Sequence, residues 1–242
     1  MREIDPVPVV LTIGGNDPSG GAGIQADLEA IASHGCHAAP VVSALTVQNT
    51  TDIQCLIPTA PDLLLRQARC VLDDMPIAAI KVGLLGTAEV AAAVAELLAQ
   101  RRDIPVVLDP VLSAGGGTRV TDSGTLSALR ALLPAVTLLT PNSTEARTLA
   151  NGNGSLDECG RQLLSAGVEF VLITGTHEDE PQVVNRLYGP DNHCETYTWD
   201  RLPHSYHGSG CTLAASIAGL LAQGATPLEA VHQAQEYTWQ SL

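Results

Sequence analysis

No apolar run in the chain reaches the ~18–20 residues that a helix needs to cross a bilayer. Met1 to Val7 also lacks the basic start and apolar stretch of a secretory leader, so the protein is expected in the cytoplasm. Positive charge is scarce. There are 12 Lys and Arg against 26 Asp and Glu, the formal net charge is −14, and the basic residues do not cluster. Nucleic acid and anionic membranes are therefore not expected partners, because both need grouped Lys and Arg. A phosphate ligand would have to be held by helix N-termini and a divalent metal. The cysteines, Cys36, Cys55, Cys70, Cys159, Cys194 and Cys211, show no C-x-x-C spacing. Neither a zinc site nor a redox pair is indicated. The histidines show no H-x-x-x-H spacing, and no G-x-x-x-x-G-K-[ST] loop is present. No repeat, low-complexity segment or linker interrupts residues 1–242, which read as one domain.

Hydrophobic residues make up 45% of the chain, enough for a sizeable core. Short β-rich runs are predicted at 8–13, 41–46, 53–57, 78–82, 105–108, 136–139 and 170–173. Segments with helical spacing are predicted at 22–34, 61–72, 87–101, 122–133, from 142, and at 155–165, 211–223 and 227 onward. Arg186–Tyr188 and Glu195–Trp199 read as a hairpin around Gly-Pro-Asp-Asn. Strands alternating with helices of this length predict βαβ units and a mainly parallel sheet.

The stretch His207-Gly-Ser-Gly-Cys211, opening a run of small helix formers, carries the clearest chemistry. Its glycines let the backbone approach a ligand. The helix start offers N–H groups and the positive end of the dipole to an anion. Cys211 stands in the first turn, where a thiolate is expected to be favoured, and is a candidate base. His207 is the one histidine beside this anion hole.

In open α/β sheets ligands bind beyond the carboxyl ends of strands. Polar or glycine residues stand at nearly every such end: Gly14–Asp17, Gln48-Asn49, Gly83, Asp109, Asn142 and Gly175. Asn142 and Glu145 share a helical face and have oxygens suited to a Mg²⁺. Taken alone, they read first as a helix cap and its capping-box partner. Lys81, inside an apolar strand, needs a carboxylate or a ligand. Gly21–Ala26 matches G-x-G-x-x-A but stands too far from its strand for a dinucleotide fold.

The ordered set Gly14–Asp27 (Gly-Gly-Asn-Asp-Pro-Ser-Gly-Gly-Ala-Gly-Ile-Gln-Ala-Asp), Ala44–Thr50, Lys81–Leu85, Leu108–Val111, Thr140–Ala146 and Gly208–Cys211 resembles the hydroxymethylpyrimidine/phosphomethylpyrimidine kinases of thiamin biosynthesis. These belong to the ribokinase-like superfamily. The resemblance implies a three-layer fold with a mainly parallel central sheet and helices on both faces. It also implies ATP- and Mg²⁺-dependent phosphorylation of the hydroxymethyl group of 4-amino-5-hydroxymethyl-2-methylpyrimidine, and of its monophosphate. By family role Gly208, Ser209, Gly210 and Cys211 form the anion hole, and Cys211 takes the base position. Gln48, Gly15 and Asp27 would surround the pyrimidine. Asp109, Asn142 and Glu145 would lie on the ATP side, with Mg²⁺ on Asp109 and Glu145. A homodimer is left open. Two lysines of relatives are replaced, at Gly115 and Thr174, and Leu84 stands where methionine is frequent. The lost charges predict a slower second phosphorylation. The competing readings are a pyridoxal or pyridoxine kinase, a non-catalytic pyrimidine-binding regulator and, last, a nucleotide oxidoreductase.

Overall fold

The computed structural model describes residues 6–113, 118, 120–150, 152, 154–204 and 206–242. β1 (Val9–Asn16) is central because it is apolar on both faces. Val9, Leu11 and Ile13 enter one core, and Val10 enters another on the opposite face. α1 (Gly23–Ser33) follows, then β2 (His37–Gln48), parallel to β1, and β3 (Ile53–Pro58), antiparallel to β2. α2 (Pro61–Asp74) begins on Pro61, where a missing N–H costs nothing. β4 (Ile77–Val82) returns to the other side of β1.

α3 (Ala88–Ala99) is capped by Thr87, and β5 (Val106–Leu108) runs parallel to β4. α4 (Ser123–Leu132) is capped by Asp122. β6 (Leu138–Leu139), α5 (Ser143–Leu149), α6 (Leu156–Ser165) and β7 (Phe170–Ile173) complete the parallel part. β8 (Gln182–Tyr188) and β9 (Cys194–Asp200) form an antiparallel hairpin, with Asp191 and Asn192 at positive φ in its turn. α7 (Ser209–Ala222) and α8 (Pro227–Ser241) end the chain.

The described strands form one sheet, ordered β3-β2-β1-β4-β5-β6-β7-β8-β9. Residues of α2 to α6 fill the core on one face, and residues of α1, α7 and α8 fill the other. This is the expected three-layer arrangement. The chain winds to β2 and then back past β1 to β4, so strand order reverses at β1. Beyond the carboxyl ends of β1 and β4, where the order reverses, is the place such sheets use for a ligand crevice.

Several boundaries differ from expectation, among them the start of β8 at Gln182 and not Arg186. β1 runs through Gly14 and Gly15, where its register against β2 slips by one residue. β2 starts at His37 because pairing with Val9 begins there. α7 starts at Ser209, so Ser209 and Gly210 belong to the helix and not to the loop before it.

Candidate active site

α7 opens on Gly208, whose φ of +84° only glycine adopts without strain. A Cβ there would also lie 1.8 Å from the Gly21 carbonyl oxygen. The glycine-rich loop after β1 thus lies directly against the start of α7. Gly23 makes a similar approach from the other side, where a Cβ would lie 2.3 Å from the Gly15 carbonyl oxygen. Thr212 N–H donates to Gly208 C=O at 2.9 Å. The N–H groups of Ser209, Gly210 and Cys211 therefore precede the helical ladder and are left to face a ligand. Gly210 is exposed, with nothing within 4 Å of the direction its Cβ would take.

Cys211 is half-buried, close to Lys81, Asp109 and Asp27. The Asp109 carboxylate and the Gly23 amide are polar neighbours of its sulfur. The expectation of a resting thiolate is corrected here. Burial pushes the thiol up to about 12, against the opposing pull of Lys81 and the Gly23 amide, and Asp109 and Asp27 add to the rise. The helix start is a favourable position, but desolvation outweighs it.

Lys81 is the single lysine of the chain. On β4 its side chain points to the α1 and α7 layer and is 1% exposed. Its Nζ lies 2.7 Å from Asp27 Oδ1 and 2.9 Å from Oδ2. Burial opposes its charge, but Asp27, Cys211 and Asp109 overcome this and hold it protonated. Thr12 donates to the same Asp27 carboxylate. Asp27 was expected on the pyrimidine wall. It is fully buried beneath Gly14 and is the counter-charge of Lys81.

Gly15 is buried at the end of β1, and a Cβ there would meet Leu84 Cδ2 at 2.9 Å. The Leu84 carbonyl is fixed by the Ser43 hydroxyl. Gln48 is half-buried at the last position of β2, opposite Ile53. Gly15, Leu84 and Gln48 thus stand at carboxyl ends around the β1 crevice. A cleft of about 710 Å³ is lined by Ile53, Cys55, Leu56, Gly86 and Asp122 among others. None of the sequence-predicted site residues lines it.

Asp109 follows β5 and is buried. Burial raises its pKa and Asp27 adds to the rise, while Lys81 and the Cys211 thiol work against it. Asn142 and Glu145 form a complete capping box at α5. Glu145 Oε2 accepts from Asn142 N–H at 3.0 Å, and Oε1 from Leu112 N–H at 3.2 Å. Burial and the nearby Asp109 push Glu145 up to about 8. Glu145 is therefore both a cap partner and one of two buried carboxylates that repel each other. Among the described residues no group of three His, Cys, Asp or Glu is arranged to hold a metal.

Thr174 follows β7 and bridges to Asn142, with Ser143 N–H donating to its carbonyl at 3.0 Å. The next loop is held from two sides. Arg147 forms a two-bond pair with Glu178 at 2.8 and 2.9 Å, and Arg201 donates to the Thr176, Glu178 and Glu180 carbonyls. Gly115 lies outside the described residues.

Sequence reasoning did not single out Asp17. Its carboxylate is fully buried and gathers bonds from Ser19, Ala22 and His207. An Asp-Pro-Ser after a strand is a turn signal, but its partner is 190 residues away.

Residues 17–242 match the family described as phosphomethylpyrimidine kinase. The chain belongs to the phosphomethylpyrimidine kinase family. It is thus a kinase, that is, a phosphotransferase. Hydroxymethylpyrimidine/phosphomethylpyrimidine kinase of Escherichia coli is 36% identical, over 96% of this chain and 90% of its own length. That of Synechococcus elongatus is 38% identical, over 98% and 92%. The chain spans 48% of the thiamine biosynthesis bifunctional protein ThiED of Geobacter sulfurreducens, at 37% identity.

Among solved structures, phosphomethylpyrimidine kinase from Clostridium difficile superposes with a TM-score of 0.84 at 29% identity, covering 98% of this chain and 99% of that one. An ADP complex of Bacillus subtilis pyridoxal kinase superposes with a TM-score of 0.86 at 29% identity, covering 96% and 90%. Pyridoxal kinases are thus structural relatives of this phosphomethylpyrimidine kinase family member and share its ribokinase-like fold.

Proposed function

We propose that the protein uses ATP to phosphorylate the hydroxymethyl group of 4-amino-5-hydroxymethyl-2-methylpyrimidine and, more slowly, to phosphorylate its monophosphate, in thiamin biosynthesis. The observation that carries this reading is the start of α7. Free N–H groups and Cys211 converge there beside the β1 crevice, in a chain of this kinase family. The pyrimidine would lie between Gly15, Leu84 and Gln48, with the Gln48 amide bonding the ring. The substrate hydroxyl oxygen attacks the γ-phosphorus of ATP, the bond to ADP breaks, and the hydroxyl proton passes to Cys211. The N–H groups of Ser209, Gly210 and Cys211 stabilise the charge of the moving phosphoryl group. Cys211 is a thiol at rest and must release its own proton before it can accept the substrate's; Lys81 and the Gly23 amide favour the thiolate, against burial.

The donor set suits Mg²⁺. Asp109 and Glu145 are buried, and burial followed by the nearby Asp109 raises Glu145, so a divalent cation would favour the ionised carboxylates. A Mg²⁺ that keeps several waters needs only one or two carboxylates plus phosphate oxygens. When bound it would neutralise phosphate charge. Asn142 would keep Glu145 oriented through the capping box. A second copy of the chain is the proposed partner. The exposed side chains of Leu45, Val47 and Ile57 on β2 and β3 are the surface it would cover.

The test offers the pyrimidine, its monophosphate and pyridoxal to the purified protein with ATP and Mg²⁺. Phosphates transferred are counted by mass spectrometry, and kcat/KM is compared. The pyrimidine is expected to be the best substrate and its monophosphate clearly slower, because Thr174 supplies no charge where relatives have lysine. Preference for pyridoxal would transfer the assignment to the structural relatives' activity.

A further inference from the structure

The glycine-rich loop after β1 and the loop before α7 are joined by one side-chain bond. His207 Nε2 lies 2.9 Å from Asp17 Oδ2. The two side chains are 16% and 0% exposed. Asp17 is held rigidly. It accepts from Ser19 N–H at 2.9 Å, from the Ser19 hydroxyl at 2.8 Å and from Ala22 N–H at 2.8 Å. Its own N–H donates to Gln25 Oε1 at 3.0 Å, and Gln25 Nε2 donates to Asn16 Oδ1 at 2.7 Å. Burial alone would raise the Asp17 carboxyl. The bonds from Ser19, His207 and Ala22 overcome this and hold it below its ordinary value. An ionised carboxylate has nothing to donate, so Nε2 of His207 carries the proton. That nitrogen is committed to Asp17.

His207 immediately precedes Gly208, the left-handed residue that starts α7. The Asp17 loop touches the same segment twice more. A Cβ on Gly21 would lie 2.9 Å from His207 Cδ2, and one on Gly208 would strike the Gly21 carbonyl. The direction of the first N–H groups of α7 is thus referenced to Asp17 through His207.

We propose that Asp17 and His207 form a latch that positions the anion hole of α7, and that both are positioning residues for phosphoryl transfer. The proposal rests on the kinase reading. Asp17 is fully buried and His207 commits its Nε2 to it, so the role assigned to both is orientation and not contact with the reacting atoms. A misplacement of about 1 Å at such a site costs on the order of 10²-fold in rate. His207→Ala should therefore lower kcat by ~10- to 100-fold. The KM for the pyrimidine should stay near that of the unmodified protein, because Gly15, Leu84 and Gln48 are untouched.

His207→Gln, whose amide Nε2 can donate to the same oxygen, should recover most of the rate. Asp17→Asn combined with His207→Ala should be no slower than the slower single variant, because His207 acts only through the bond that either change disrupts. Thermal unfolding is recorded on the same preparations. His207→Gln against the unmodified protein decides the matter if His207→Ala does not fold. An unchanged kcat in His207→Ala would overturn the latch, as would a His207→Gln variant as slow as Ala, or losses that multiply in the double variant. Absence of any transfer by the unmodified chain would instead overturn the kinase reading, and the latch with it.

Discussion

Lys81 shows what one side chain costs and what it organises. A fully buried ammonium is tolerated only with a counter-charge, and Asp27 supplies it at 2.7 Å. Thr12 completes the set on the same carboxylate. Removing one partner leaves the other buried and unpaired. Lys81→Met should thus lower unfolding free energy by roughly 3–5 kcal/mol, and Lys81→Met with Asp27→Leu should recover much of it. Urea unfolding of the three proteins checks this, and a Lys81→Met variant as stable as the unmodified chain contradicts it. The need for a partner was legible in the sequence, since a lysine in an apolar strand demands one. The identity of the partner was not, because α1 and β4 meet only in the folded layers. The same limit explains Cys211. Its place in a first turn is a local property that the sequence displays, whereas its burial depends on β4, β5 and the Gly23 amide.

Elements place the site more than individual side chains do. The cap at Asn142 was readable because it is a local residue pattern, and Thr87 and Asp122 cap α3 and α4 in the same local way. The start of α7 was misjudged by two residues, because Gly208 caps it by backbone conformation and contact with Gly21, without a side-chain bond. The two glycines flanking Ser209 should therefore behave differently. Gly208→Ala meets both positive φ and the Gly21 carbonyl, and should destabilise the protein and abolish most transfer. Gly210→Ala meets no atom and should leave stability unchanged or raise it by about 0.5–1 kcal/mol. Its methyl would still enter the space in front of the free N–H groups, so kcat/KM for ATP should fall. Thermal unfolding beside steady-state kinetics checks both, and equal stability of the two variants would contradict the packing described.

At the scale of the whole molecule, strand order decides where chemistry is possible. The reversal at β1 is the place such sheets use for a ligand crevice, and α7 brings N–H groups there, where a chain of net charge −14 has few cations to offer. Among the described residues, Arg69, Lys81, Arg101 and Arg147 are held in ion pairs. Arg147 grips Glu178 and holds its carboxyl down from the ordinary 4.5 to about 2. A depressed acid contributes stability that is present above its unfolded value and lost as pH falls through its folded one. The contribution should therefore fade between about pH 4.5 and pH 2, and Glu178→Gln should flatten that part of the stability curve. The side chains keep 33% and 23% exposure, so solvent screening limits the loss at neutral pH to about 1 kcal/mol. Denaturant unfolding across that pH range checks it, and parallel curves for both proteins would contradict it. Alternating strands and helices made the layers readable from sequence. The bonds from Arg147 and Arg201 to the loop after β7 were not, since they link segments that have no shared pattern.

The central claim is that phosphoryl transfer takes place at the start of α7 with Cys211 as base, and kcat of Cys211→Ala tests it most directly. The backbone N–H groups remain in that variant, so ATP should bind nearly as before. Loss of a base should cut kcat by on the order of 10²–10⁴-fold. Cys211→Asp should recover part of the rate. A Cys211→Ala variant that folds normally and keeps the unmodified kcat would contradict the account.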